Sequence, residues 1–252
     1  MKNIVRQIIV VLSVIATIVV NILANTLPIN GLNTGEISDR FQVYFVPAGY
    51  IFSIWGLIYI ALIAYAVYQI LPSQQENPRL KQTGYLVTAS GFANIAWIFL
   101  WHYEQFPLTL IAMLALLGLL IATYLQLGIG KSSATPLETW AVRIPFSIYL
   151  GWITVATVAN ITDVLYFLKW DGFGIAPQSW MFIVLTAVIV IAGLVSLTRS
   201  DVAYNLVVLW ALVGIAVKHS ATVAVSTASG VAAVLVAGVL VYGIFRRKPV
   251  IS

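Results

Sequence analysis

The chain is 252 residues long, 61% hydrophobic and only 8% charged. An ordinary soluble domain carries about a quarter of its residues as charged side chains, so the composition excludes one. No cysteine is present, which excludes disulfide frameworks, thiolate catalysis and cysteine metal centres. The net charge of +5 comes from loop lysines and arginines. It forms no basic, aromatic-interleaved patch, so no nucleic-acid partner is expected.

Apolar runs of roughly twenty residues recur throughout, the signature of a polytopic helical membrane protein in contact with a lipid bilayer. In chain order the expected spans are 7–27, 46–70, 83–101, 106–127, 141–162, 179–197, 202–218 and 221–244. The fold class is therefore all-α, a membrane bundle of about eight transmembrane helices. The first run is longer than a signal-peptide core and no small-x-small site precedes Pro28, so it reads as an uncleaved span. The breaks carry proline, glycine, asparagine or charge, and TRSD and KHS are short enough to force tight hairpins.

Eight spans put both termini and the even loops on one side of the membrane. That side holds Lys2, Arg6, Arg79, Lys81, Lys131, Arg143, Arg199, Arg246, Arg247 and Lys248, against Arg40, Lys169 and Lys218 on the other. The asymmetry places both termini of this multi-pass protein in the cytoplasm.

Helical periodicity then selects faces. Ser13, Thr17, Asn21 and Asn25 recur every four residues in the first span. Such a stripe is the usual source of interhelical hydrogen bonds in membranes. Phe52, Trp55 and Tyr59 share a face of the second span; Ser90, Asn94, Trp97 and Trp101 share one of the third; Tyr149, Trp152, Ala156 and Asn160 share one of the fifth. Each aromatic stripe alone is compatible with plain packing. At about 1.5 Å rise per residue, however, Asn21 and Asn25, Asn94 and Trp97, Trp152 through Asn160, and Trp55 fall at one level in the middle or outer half, beneath the 29–45 loop. An amide in hydrocarbon needs a partner, so Asn94 and Asn160 require a neighbouring helix or a ligand. The convergence predicts an outward-opening aromatic pocket. Trp140, Trp170 and Trp180 lie at span ends, as interfacial tryptophans do. Trp101 fits either role, and Trp210, without a polar companion, reads as packing.

These residues resemble the TspO/MBR family, the translocator or tryptophan-rich sensory proteins, a five-helix membrane bundle. Phe45 to Leu62 is similar to the family's second-helix run through Pro47, Trp55, Gly56 and Tyr59. Asn94-Ile-Ala-Trp97 resembles its third-helix motif, and Tyr149, Leu150, Trp152, Ala156, Thr157 and Asn160 match the fifth. The chain departs from the pattern at Ala48, Gly49 and Tyr50, and its fifth-helix proline is displaced to Pro145. The first loop lacks the family's tryptophan and offers Phe41, Tyr44 and Phe45 as a lid instead. Three further spans follow, so the expected division is a five-helix core over 1–165 and an added three-helix segment over 166–252. The resemblance implies no obligatory cofactor. It implies a sensory or regulatory protein that binds a flat hydrophobic molecule: a porphyrin or haem, another tetrapyrrole, or a sterol-like lipid. It also leaves a homodimer open. The expected contact residues are Pro47, Phe52, Trp55, Tyr59, Asn94, Trp97, Trp101, Tyr149, Trp152, Ala156 and Asn160.

Other chemistry has little to build on. His102 and His219 lie at span ends; His102 reads as a solvated loop residue, with haem ligation as the alternative. Asp163 is the one acid near a span interior, poised between the pocket and water. No carboxylate pair, phosphate-cradling loop or nucleophile–histidine arrangement supports an enzyme. A secondary transporter of a small hydrophobic molecule is the rival class, but halves 1–125 and 126–252 show no repeat and no span centre is charged. Ala224, Ala228 and Ala232, with Ser229, Ala233 and Ala237, make the last span a close-packing surface, within or between chains.

Overall fold

Proline and short polar side chains set where the helices begin. Asn77 accepts from the backbone N–H groups of Arg79 and Leu80 just ahead of Pro78, and Thr135 caps the turn that opens with Pro136. Proline suits these first positions because its missing N–H would have no helical partner there. A computed structural model describes residues 2–27 and 29–246 of the chain. Pro28, Arg247 and Lys248, used above for the first span and the charge asymmetry, lie outside the described residues, as does the side chain of Lys2.

Long helices are α1 (Lys2–Thr26), α2 (Ile54–Ile70), α3 (Pro78–His102), α4 (Phe106–Gln126), α5 (Ile144–Phe167), α6 (Pro177–Arg199), α7 (Val202–Lys218) and α8 (Val223–Phe245). A 3-10 turn, Gly49–Ser53, leads into α2, and a π turn, Thr139–Arg143, leads into α5. Seven of these segments are long and apolar enough to cross a membrane, and α7 is a shorter apolar helix of 17 residues. At that length it reaches about 25 Å, slightly less than the hydrocarbon core. The all-α membrane bundle expected from the sequence is what forms.

Helices α1, α3, α4, α5 and α2 close into a ring, each packed on the next. The expected stripe on α1 supplies one of its seams. Thr17 and Asn21 donate to carbonyls one turn back, and the Asn21 amide also donates to Asn94 Oδ1 on α3 at 2.6 Å. Asn25, near the C-terminal end of α1, stays exposed. The seam is tight at Gly91, where a methyl group would sit 2.7 Å from Thr17 Oγ1.

The last three helices build outward from this ring. α7 packs on α5, and α8 packs on both α6 and α7. Its inward face is Val225, Ser229, Ala232, Val236, Leu240 and Gly243, so the small residues there serve contacts within the chain. Ala224 is exposed. α7 also touches the approach to α2: Gly214 O accepts from Ala48 N, and Trp210 Nε1 donates to Ile51 O at 3.2 Å. Trp210 therefore has the polar companion that its sequence context does not reveal. One hydrophobic core runs through both parts, from Trp97 and Trp152 to Leu212 and Val236.

Candidate functional site

Pro47, Phe52, Trp55, Asn94, Trp97, Trp101, Trp152, Ala156 and Asn160 line one cavity inside the ring. Tyr59 and Tyr149 stand behind that wall. Tyr59 stacks on Trp55 with ring centres 5.7 Å apart, and Tyr149 accepts a hydrogen bond from Asn94 Nδ2 at 3.0 Å. The tryptophans reach the cavity from three helices because each helix turns its aromatic stripe inward. Trp97 and Trp101 stack at 5.3 Å on α3, and Trp55 and Phe52 meet the edge of Trp152 at 6.3 and 5.7 Å.

The two amides hold partners from neighbouring helices. Asn94 bridges α1 and α5 through Asn21 and Tyr149. Asn160 accepts from Trp97 Nε1 at 3.4 Å and donates to Thr109 Oγ1 on α4 at 2.9 Å. They therefore pin the walls in place. Each such bond contributes about 0.6 kcal/mol in a membrane setting.

The rest of the lining escaped the sequence. Met113 and Leu116 come from α4, Ile153, Val155 and Ala159 from α5, and Thr34, Ser38 and Val46 from the first loop. Thr109, Met113 and Leu116 share one face of α4, so periodicity marks that stripe, but no aromatic residue draws attention to it. Thr34 and Ser38 belong to a short loop helix, Thr34–Ser38, closed by a reciprocal cap in which Asn33 Oδ1 accepts from Glu36 N and Glu36 accepts from Asn33 N. Of the aromatic residues expected as a lid, Phe41 wedges against Trp101 and Phe106, while Tyr44 sits edge-on to His219.

His102 is buried, and neither a solvated loop residue nor turned toward the cavity. Its Nδ1 lies 3.0 Å from Ile29 O and its Nε2 lies 3.1 Å from Thr34 Oγ1, while Asn30 donates to its backbone carbonyl. With Trp101 Nε1 donating to Thr34 O at 3.2 Å, the top of α3 clamps the loop down over the cavity. Both ring nitrogens are engaged, which leaves none for iron.

Asp163 resolves toward the pocket as well. It is 3% exposed, lines the cavity, and its Oδ1 has no hydrogen-bond partner among the described residues. Trp152 Nε1, in the same wall, also has none. The cavity measures about 50 Å³, room for little more than a water molecule and far below the several hundred Å³ of a drug-sized ligand site.

A cleft of about 1190 Å³ lies elsewhere, between α2, α5 and α7, and holds Ser53, Arg143, Ser147, Arg199, Asp201 and Trp210. Its charged groups are bonded within the chain. Asp201 accepts from Tyr124, Ser147 and the Tyr204 N–H, Arg143 donates to Ser133 O, and Arg199 donates to Ile129 O. The larger space thus surrounds a carboxylate whose hydrogen bonds are made within the chain.

A family model described as TSPO-like protein matches residues 7–242. The chain belongs to the TSPO-like family. The match runs through the last three helices of this TSPO-like protein as well as the five-helix ring. No curated protein and no solved structure matches the chain. The TSPO-like membership and the apolar helices together make it an integral, multi-pass membrane protein.

Proposed function

We propose that the chain is a sensory or regulatory membrane protein that takes a flat hydrophobic ligand, of the porphyrin, haem or sterol-like class, into the cavity beneath the first loop. The observation that carries this reading is the convergence of Phe52, Trp55, Trp97, Trp101 and Trp152 on one enclosed space. Ligand sites are mostly apolar with few placed polar groups, and this space has that character. Its small volume makes entry depend on movement of the loop held by Trp101 and His102. A ligand that favours the raised loop shifts the population toward it, which is how occupancy would become a signal. Both termini lie on the cytoplasmic side in this reading, and a homodimer remains part of it, checked by mass in detergent.

Protoporphyrin added to the detergent-purified protein quenches tryptophan fluorescence, and Trp152→Ala combined with Asn94→Ala weakens that quenching several-fold. Unchanged quenching in a folded double variant would remove the cavity as the site.

A further inference from the structure

Asp163 is the anomaly in this cavity. Ionising a carboxyl that is buried without a partner costs several kcal/mol, because no water replaces the hydration it loses, so the charged form waits on a cation that can pair with it. In a membrane bundle such a group is retained where something else completes it. Lys218, the cation in electrostatic reach, is paired with Asp39 at 3.0 Å. Asn160, one turn back on α5, is committed to Trp97 and Thr109. His219, near Lys218, makes a T-shaped ring contact with Tyr44, and its Nε2 has no hydrogen-bond partner among the described residues.

The walls around Asp163 carry a second, independent indication. Trp55, Trp97, Trp101 and Trp152 present indole rings to the same space. An indole face attracts a cation through its quadrupole, most strongly where water is excluded. A carboxylate and several indoles in one dry cavity both favour positive charge. Neither favours the acid groups that many tetrapyrroles carry.

We infer that the cavity selects a flat hydrophobic amine in its protonated form, with the ammonium or N–H⁺ donating to Asp163 Oδ1 and the aromatic body held among the indoles. The inference rests on the pocket proposed above and keeps its flat hydrophobic ligand, but puts organic cations ahead of the acidic tetrapyrroles and neutral sterol-like lipids of that reading. Trp152 Nε1, also unpartnered, is available to an acceptor on the same molecule. Charge-assisted hydrogen bonds are roughly twice as strong as neutral ones, so the carboxylate sets selectivity while the rings supply affinity common to all flat ligands.

The test uses three acridines of one shape and different charge: 9-aminoacridine as the cation, acridine as the neutral form and acridine-9-carboxylate as the anion. Each is titrated at neutral pH into the 252-residue protein in detergent, with tryptophan quenching as the readout. Wild type should bind the cation at least tenfold more tightly than the neutral form, and the anion more weakly than either. Asp163→Asn, which keeps the shape, should abolish the tenfold preference and leave acridine affinity unchanged. Asp163→Leu should do the same, which covers the chance that the asparagine perturbs the fold. Equal affinity for cation and neutral form in wild type, or a preference that survives both variants, overturns the inference while leaving the pocket standing. Failure of all three acridines to quench overturns the pocket and the inference together.

Discussion

Two aspartates in this bundle are buried to similar degrees and have opposite surroundings. Asp201 accepts hydrogen bonds from Tyr124 at 2.8 Å, Ser147 at 2.6 Å and the backbone of Tyr204 at 3.1 Å, and it caps α7. Asp163 leaves Oδ1 without a partner among the described residues and lines a cavity walled by indoles. The first ties α4, α5 and α7 together, and its role is complete within the chain. The second has no such partner among the described residues, so its ionised form is costly within the chain, and that is the ground for the proposal that a molecule from outside completes it. The comparison also separates size from function. The cleft of about 1190 Å³ surrounds the satisfied carboxylate, and the cavity of about 50 Å³ surrounds the unsatisfied one.

Breaking the satisfied site should produce the largest effect. Asp201→Ala removes a helix cap and strands two buried hydroxyls, and should destabilise the protein by roughly 2–4 kcal/mol, read as thermal unfolding in detergent. The platform that holds both aspartates is tested next. A methyl group at Gly151 would sit 2.8 Å from the Tyr204 carbonyl oxygen, so Gly151→Ala should push α5 and α7 apart at a cost of about 1–3 kcal/mol in the same assay. Gly56→Ala, with open space around it, serves as the neutral control.

His102→Phe asks whether the loop is what keeps Asp163 dry. It strands Ile29 O and Thr34 Oγ1, weakening the clamp by about 1–2 kcal/mol. Limited trypsin digestion should then cut after Arg40 several-fold faster than in wild type. For Asp163 itself the comparison predicts the opposite sign from Asp201: Asp163→Asn should leave stability unchanged or raise it by up to about 1 kcal/mol.

The smallest effect belongs to a charge pair in water. Arg40 hydrogen-bonds Glu104 and holds its carboxyl below the usual carboxylate range. A depressed folded value means that the contribution is present above the ordinary glutamate value, about pH 4.3, and fades as pH falls through the folded one. With the two side chains 49% and 42% exposed, Glu104→Gln should cost no more than about 0.5 kcal/mol at neutral pH, and nothing in strong acid.

Much of the architecture is legible in the sequence, because a lipid solvent leaves few options. Uninterrupted apolar runs have to be helices, and proline and charge mark their ends. The aromatic wall is legible for a related reason: Trp97, Trp152 and Asn160 recur at helical spacing and at matching depth. Burial at helix ends is not legible. His102 looks like a residue facing water and Asp163 fits water or pocket equally well, and it is the fold, with the first loop over α3, that buries both. Met113 and Leu116 are hidden by ordinariness, since apolar residues in an apolar helix carry no mark of which neighbours they meet. The commitments of Asn94 and Asn160 also depend on partners, Asn21 and Thr109, that lie far away in the chain.

Location can be read directly, because the chain has no cysteine and any introduced thiol is unique. Ala156→Cys places one in the aromatic cavity and Ala203→Cys places one in the α2–α5–α7 cleft. Acridine should slow maleimide labelling of the Ala156→Cys protein and leave the Ala203→Cys protein unaffected. Protection at position 203 without protection at 156 would contradict the assignment of the ligand to the cavity beneath the loop.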